Sequence, residues 1–185
     1  MLRSFIALEL SEEIHRQLKQ AQDQLKAAQA DVKWVDPQGI HLTLRFLGNV
    51  SPQLLEEIKP QLEELGQSHR QFKLEIKQLG AFPKIEYPRV IWIGIEQGKD
   101  RALKLAEDLE QRLLNFGFQK EKREFKPHLT LGRVRSAQNR EQLKNLLQSV
   151  TITPSAMQAV NLCLFKSTLT PQGAIYQPLH KTQLS

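Results

Sequence analysis

The sequence of 185 residues contains a single cysteine, Cys163. One cysteine excludes an internal disulfide and any zinc site that is built on cysteine ligands. Cys163 lies in an apolar run over residues 160–165. Because free cysteines in such runs usually pack as small apolar side chains, we expect a buried and unreactive thiol.

Long apolar runs are also missing. A membrane-spanning helix needs roughly 18 or more consecutive apolar residues, and no stretch of this sequence approaches that length. The first ten residues resemble a signal peptide only superficially, since their apolar run is short, Glu9 interrupts it, and no small-residue cleavage site follows. These absences predict a cytoplasmic protein with no membrane association.

Composition and charge are typical of a soluble globular protein with a basic surface. The chain is 40% hydrophobic and 25% charged, and its net charge is +6. Its length is sufficient to bury a full core, either as one domain or as two small lobes. The positive charge favours a polyanionic partner such as RNA or a nucleotide, although many basic proteins bind neither.

The pattern of apolar residues predicts alternating strands and helices. Four helices are predicted. Three begin at Ser11, Ser51 and Asp100, and the fourth includes residues 143–147. We expect Pro60 to kink the second helix. Strands are predicted at 5–7, 41–47, 72–76, 90–95, 156–166 and 174–179, with a polar tail after the last. Residues 80–88 are predicted to form an irregular loop that acts as a wall or lid.

The order of these elements repeats. Strand, helix, histidine-bearing strand, helix and strand occupy about 3–79 and recur over about 89–180. This pattern favours a single domain over 1–185, with two similar lobes related by a pseudo-twofold axis and the two histidine strands facing each other across a groove. The alternative is an ordinary α+β chain whose elements alternate without symmetry.

The two halves share one tetrapeptide, His-Leu-Thr-Leu, at 41–44 and at 128–131. In a strand, residues i and i+2 lie on one face, so His41 shares a face with Thr43, and His128 shares one with Thr130. A half-buried strand needs the alternation with leucine, but it does not need an imidazole and a hydroxyl at the same outward positions twice. We therefore interpret the repeat as a paired catalytic device.

Two facing imidazoles suit acid–base catalysis. Unperturbed histidine titrates at about pH 6.5, so near neutrality one ring can accept a proton while the other donates one. Cleavage of a phosphodiester needs both steps, because a nucleophile is deprotonated while a leaving oxygen is protonated. The threonine hydroxyls can hydrogen-bond phosphoryl oxygens, and neither a metal nor another cofactor is required.

Other chemistries find less support in the sequence. A lone strand histidine is more often structural, but a second copy in a chain with five histidines shifts the balance toward function. A zinc site would lack a third histidine or a carboxylate at ligand spacing on either strand. The sequence contains no Gly-x-Ser-x-Gly nucleophile elbow and no glycine-rich phosphate loop. The remaining histidines, His15, His69 and His180, receive no role.

The duplicated motif, within residues 41–48 and 127–133, resembles that of the two-histidine (2H) phosphoesterases. The flanking sequence is similar to one branch of that family, the RNA 2′,3′-cyclic phosphodiesterases formerly called 2′-5′ RNA ligases, or LigT proteins. The supporting segments follow the family order along nearly the whole chain, at 3–8, 34–35, 80–83, 89–94, 164–169 and 173–176.

This resemblance implies an α+β, bilobal fold, with two pseudo-symmetric lobes of antiparallel sheet and helices around a central cleft. It also implies metal-independent hydrolysis of RNA 2′,3′-cyclic phosphate ends, or of a small cyclic nucleotide, to 2′-phosphomonoesters by a monomer. By position, His41 would be the general acid that protonates the departing 3′ oxygen, and His128 the general base that activates water. Thr43 and Thr130 would bind the phosphate, and Arg133 would add a cation.

Strand parity bears on two arginines near the motifs. Arg133 is five residues after His128, so in a regular strand it would lie on the face of the leucines. It reaches the phosphate only if a β-bulge or the strand end lies between them. Arg45 is four residues after His41, so in a regular strand it would lie on the face of His41 and Thr43. This position predicts a second contact to phosphate or RNA. The alternative for Arg45 is a solvated side chain at the end of the strand.

Two other functions are compatible with the sequence. The same fold would support 2′-5′ ligation of tRNA halves, the reverse reaction, in which a 5′-hydroxyl replaces water. A non-catalytic RNA-binding module would instead rely on the basic run at 120–126.

Overall fold

The structure of the protein is a computed structural model that describes residues 1–171 and 173–185. These residues form strands and α-helices in the order β1 (Leu2–Leu8), α1 (Glu12–Lys26), β2 (Val32–Trp34), β3 (Leu42–Val50), α2 (Pro52–Ser68), β4 (Phe72–Lys84), β5 (Tyr87–Ile95), α3 (Lys99–Leu114), β6 (His128–Val134), α4 (Arg140–Ser149), β7 (Ser155–Ala159), β8 (Asn161–Leu169) and β9 (Ala174–Gln183). A 3-10 turn, Pro37–Gly39, precedes β3.

The helices begin largely where the sequence predicts. The hydroxyls of Ser11 and Ser51 each accept a hydrogen bond from a backbone N–H three residues further on, which satisfies a donor that the first turn leaves free. α2 continues through Pro60 to its end. The N-cap of α3 is Gly98 rather than Asp100, and Asp100 lies in the first turn, where the helix dipole favours a carboxylate. No helix in the described part of the chain is long and apolar enough to cross a membrane.

The strands form two antiparallel sheets, as the α+β prediction requires. Sheet A has the order β3-β1-β8-β9, and sheet B has the order β2-β6-β5-β4-β7. Helix α2 packs on β9 and α3 on β3, whereas α1 packs on β7 and α4 on α1. Sheet A is therefore covered by α2 and α3, and sheet B by α1, on which α4 packs. Buried apolar side chains from both sheets form one continuous core.

The repeat in the sequence corresponds to an exchange of strands between the sheets. In each half, the first strand pairs with the histidine strand: β1 pairs with β3, and β5 pairs with β6. A later strand of each half then crosses to the other sheet, so that β4 pairs with β5 and β8 pairs with β1. The arrangement β3-β1-β8 in sheet A thus corresponds to β6-β5-β4 in sheet B. The two lobes are interwoven, and neither is one half of the sequence.

Three predicted segments differ from the structure. Residues 80–88 are not an irregular loop, because β4 and β5 extend into a hairpin there. The strand predicted at 156–166 is two strands, β7 and β8, because the chain crosses from sheet B to sheet A at Val160. The tail after residue 179 is not a free polar segment, since β9 continues through it and Leu184 is buried.

Candidate active site

The two histidine motifs show the predicted alternation and lie side by side. Leu42, Leu44, Leu129 and Leu131 point into the core, whereas the histidines and threonines between them are half-buried on the opposite face. His41 immediately precedes β3 and His128 is the first residue of β6. β3 and β6 are in contact although they belong to different sheets. The strands that carry the two motifs are therefore in contact where the two sheets meet.

The two imidazoles are held in the same way. Nδ1 of His41 lies 3.0 Å from the carbonyl oxygen of Gly39, and Nδ1 of His128 lies 2.5 Å from that of Lys126. A carbonyl oxygen only accepts hydrogen bonds, so Nδ1 carries the proton in both rings. Within residues 1–171 and 173–185, no protein group hydrogen-bonds either Nε2 atom. Each ring is therefore oriented with Nε2 available to accept a proton, or to donate one once it is protonated.

Burial lowers the pKa of both histidines. Removal of water is the largest cause in each case, and the hydrogen bond from Nδ1 to a carbonyl opposes it. The charge of Arg133 lowers the pKa of His128 further, whereas His15 lowers and Glu9 raises the pKa of His41. Both rings are thus neutral at pH 7 in the free protein, and a bound anion would favour the protonated form of a neighbouring ring.

An aromatic cluster of sheet A surrounds His41. The centre of its ring lies 4.4 Å from that of Phe165, 5.6 Å from that of Tyr176 and 6.1 Å from that of Phe5. Cys163 belongs to the same cluster and is fully buried, as its apolar run predicts. These contacts fix the orientation of the imidazole and shield it from water, which accounts for the cost of charging it.

His128 has its own aromatic neighbours in sheet B. Phe82 meets the imidazole edge-on, with ring centres 5.1 Å apart, and the ring centre of Trp92 lies 5.1 Å from that of Phe82. The Trp92 ring lies over Gly80, where an added Cβ atom would come within 2.4 Å of it. The segment predicted as a wall does flank His128, although it is part of a strand.

A β-bulge occurs at the same place in both histidine strands. The register between β3 and β1 skips Leu44, and the register between β6 and β5 skips Leu131. A skipped residue reverses the facing of the side chains that follow it, as far as the next shift in register, which in β3 is at Leu47. The residues five positions after the histidines, Phe46 and Arg133, therefore lie on the face of the imidazoles, and both are exposed.

The charge of Arg133 acts on groups of both sheets. It lowers the pKa of His128 and opposes the raised pKa of Tyr176, whose ring packs against His41. Arg3 acts on the Tyr176 phenol in the same way. In the residues that the structure describes, Arg133 forms no salt bridge. The bulge on which the assignment of Arg133 depended is present, and the side chain is free to meet an anion.

Arg45 does not lie on this face, and the parity argument for it is wrong. The bulge at Leu44 turns its side chain into the protein, where it is only 8% exposed. One guanidinium nitrogen lies 2.8 Å from Glu121 and 3.3 Å from Glu110, and the other donates to the carbonyl oxygen of Gln119. Arg45 is thus neither beside the threonine hydroxyls nor solvated; it holds the segment that leads into β6.

Sequence reasoning missed the side chains that pack against the imidazoles. Phe165 and Tyr176 reach His41 from strands that are distant in the sequence, so no local spacing reports them. Phe46 had one detectable signal, its position five residues after His41, which is the offset of Arg133 from His128.

The chemistry of the site is that of imidazoles, hydroxyls and a guanidinium. No group of three or more histidine, cysteine or acidic side chains that could hold a metal ion occurs among the described residues. Two Nε2 atoms can move protons in opposite directions, and the hydroxyls and guanidinium can bind an anion between them. A phosphate ester is the kind of substrate that uses all of these groups.

The chain is similar to a family of known proteins over nearly its whole length. A family model described as LigT like Phosphoesterase matches the chain twice, over residues 8–92 and 93–176, and each match contains one histidine motif. An RNA 2',3'-cyclic phosphodiesterase of Methanothermobacter thermautotrophicus is 34% identical over 186 residues, which cover 99% of each chain. The crystal structure of TT0787 of Thermus thermophilus has a TM-score of 0.81 at 26% identity and covers 99% of this chain and 98% of that one. Escherichia coli LigT complexed with 3'-AMP has a TM-score of 0.77 at 26% identity, with 100% and 98% covered.

Proposed function

Because the chain belongs to the LigT-like phosphoesterase family, we propose that it hydrolyses RNA 2′,3′-cyclic phosphate ends, with His41 and His128 as acid and base. The observation that carries the proposal is the matched pair of imidazoles. Both have Nδ1 tied to a backbone carbonyl two residues earlier, and both leave Nε2 available. A structural histidine would not need that arrangement twice on two strands in contact.

The reaction follows from these two nitrogen atoms. The scissile phosphorus lies between them, and neutral His128 takes a proton from water through Nε2 as the water oxygen bonds to phosphorus. The bond from phosphorus to the 3′ oxygen breaks, and the imidazolium of His41 gives its proton to that oxygen. The product is a 2′-phosphomonoester with a free 3′-hydroxyl. His41 takes its role as the acid from its correspondence with the family motif.

Three further side chains bind the phosphoryl group. The hydroxyls of Thr43 and Thr130 are half-buried on the imidazole face and donate hydrogen bonds to the non-bridging oxygens. The Arg133 guanidinium neutralises the charge that builds up on these oxygens in the transition state. Arg45 is not part of this set, because its guanidinium is taken up by glutamates.

Alanine variants of the two histidines test the proposal on an oligonucleotide that ends in a 2′,3′-cyclic phosphate. General acid–base catalysis contributes roughly 10²–10⁴-fold per group, so His41→Ala and His128→Ala should each lower kcat/KM by at least that much. The wild-type rate should depend on pH as a bell-shaped curve and should persist in EDTA. His180→Ala, which changes a histidine paired with Glu63 outside the site, is the matched control. Activity of either active-site variant within tenfold of wild type would refute the mechanism.

The same assays separate the alternatives. Incubation with tRNA halves yields joined molecules if the protein is a 2′-5′ ligase, and only opened ends if it is a hydrolase. A non-catalytic RNA-binding module would show no turnover, and its alanine variants would bind RNA as well as wild type does. Analysis of the hydrolysis product must give the 2′-phosphate rather than the 3′-phosphate. We also propose that the substrate is RNA or a small cyclic nucleotide and that the protein is a monomer.

A further inference from the structure

The equivalence of the two sheets extends beyond the histidine motifs. When β3-β1-β8 is matched to β6-β5-β4 through the strand registers, Phe165 and Phe82 occupy corresponding places. Each of these rings packs on the histidine of its own sheet, at 4.4 Å and 5.1 Å between centres. The aromatic surroundings of the two imidazoles are thus equivalent. These surroundings alone do not determine which histidine is the acid and which is the base.

One pair of corresponding positions on the imidazole face differs in charge. Because both strands carry the same bulge, the fifth residue after each histidine lies on that face: Phe46 in β3 and Arg133 in β6. Phe46 is 62% exposed and pairs with Phe5, with ring centres 6.0 Å apart. Arg133 pairs with Val90. A neutral apolar ring on one side therefore corresponds to a cation on the other.

A cation beside one of two similar imidazoles destabilises the protonated form of that ring more than that of the ring further away, because the interaction weakens with distance. We infer that Phe46 and Arg133 set the polarity of the site: Arg133 keeps His128 neutral as the base, and the absence of charge at Phe46 lets His41 carry the proton as the acid. This inference rests on the proposed function, because it concerns the roles that the two histidines take in it. It also assigns Arg133 a task beyond phosphate binding.

Two more cations act near these rings: Lys33 of β2 pairs with Arg133, and Arg3 acts on the Tyr176 phenol that packs on His41. His128 is influenced by Arg133 on its own strand, which lowers its pKa. His41 is influenced by Glu9 at the end of β1, which raises its pKa, and by His15 of α1, which lowers it. Glu9 is itself held by Lys181, with 2.6 Å between the charged atoms. Tyr176 from β9 has a raised pKa and is a neutral phenol at pH 7, so it adds no charge beside His41.

The test is a set of charge changes at these two positions, read by NMR titration of the imidazoles in the free protein. We expect Arg133→Gln to raise the pKa of His128 by about 0.5 to 1 pH unit, the scale on which a neighbouring unit charge acts in a partly solvated site. Arg133→Lys, the charge-preserving control, should retain most of the wild-type value. Phe46→Arg should lower the pKa of His41 by a similar amount. The double variant with Phe46→Arg and Arg133→Phe should bring the pKa of His41 below that of His128.

The pH dependence of kcat/KM is a second measurement. Loss of phosphate binding alone would lower kcat/KM without shifting the pH at which it changes. The acidic limb of the profile reports the base, so Arg133→Gln should shift it upward, and the basic limb reports the acid, so Phe46→Arg should shift it downward. Both side chains are exposed, and Arg133→Gln carries the test by itself if Phe46→Arg does not fold. An unshifted His128 titration in Arg133→Gln would overturn the inference. Failure of the wild type to hydrolyse cyclic phosphates would instead overturn the proposed function and leave the titrations as measured.

Discussion

Removal of the Arg45 guanidinium is expected to destabilise the fold rather than to weaken a substrate contact. The side chain is 8% exposed, and the less exposed of its two partners, Glu110, is 15% exposed. Glu121, its second partner, is 54% exposed and can be solvated when the arginine is removed. Arg45→Ala therefore leaves one nearly buried carboxylate without its cation, and it also frees the carbonyl oxygen of Gln119.

The magnitude follows from what remains around Glu110. Breaking a buried ion pair by removing one partner costs about 3–5 kcal/mol. Glu110 keeps a hydrogen bond from the backbone N–H of Glu121 at 2.7 Å, so part of its solvation is replaced and the cost should fall to about 2–3 kcal/mol. For a chain of this length, a loss of 1 kcal/mol lowers Tm by about 2–4 °C. Tm should therefore fall by about 4–12 °C.

Urea denaturation followed by circular dichroism measures the change in the free energy of unfolding. Lys19→Ala, which removes an exposed ion pair with Asp23, is the matched control and should cost less than about 1 kcal/mol. Replacing both Arg45 and Glu110 by leucine should recover much of the loss, because the only carboxylate then left without its cation is the exposed Glu121. The reasoning is refuted if Arg45→Ala is as stable as Lys19→Ala and yet loses more than tenfold in kcat/KM, since that outcome describes a substrate contact.

Three further predictions follow from buried groups. The Cys163 thiol, fully buried and with its pKa raised to about 12, should not react with a disulfide reagent until the protein unfolds; rapid labelling of the native protein would contradict its placement. Folding lowers the pKa values of His41 and His128 below about 6.5, the pKa of histidine in an unfolded chain. At a pH between the folded and the unfolded pKa, the unfolded chain therefore binds more protons than the folded protein. The free energy of unfolding should fall as the pH drops through that range. Urea midpoints should therefore vary less with pH in the His41→Gln, His128→Gln double variant. Gly66→Ala should lower the free energy of unfolding by about 1–3 kcal/mol, although alanine favours helix. The new Cβ atom would lie 2.3 Å from Thr182 and 2.7 Å from the backbone of β9. No change in urea denaturation would contradict this prediction and would show that β9 shifts freely.

Local sequence patterns were sufficient for much of this protein. The alternation of histidine, leucine and threonine predicted strands with one buried apolar face and one polar face, because side chains in any strand alternate with a period of two. Serines before apolar stripes predicted the starts of α1 and α2, since a cap requires only the residues of its own turn. The repetition of the motif predicted two related halves, and the family to which the chain belongs follows from the same residues.

The remaining features depend on pairing between distant strands, which local patterns do not encode. Leu44 and Leu131 continue the alternation of their strands, and nothing in their neighbourhood marks them as the residues that the register skips. That skip, set by the fit of each strand against its partner, turns Arg45 into the protein and places Arg133 on the imidazole face. The exchange of β4 and β8 between the sheets likewise decides which aromatic rings pack on each histidine. The sequence by itself determined the chemical groups of the site, and the tertiary structure alone decided which of them face one another, because facing is a property of paired strands and not of one strand.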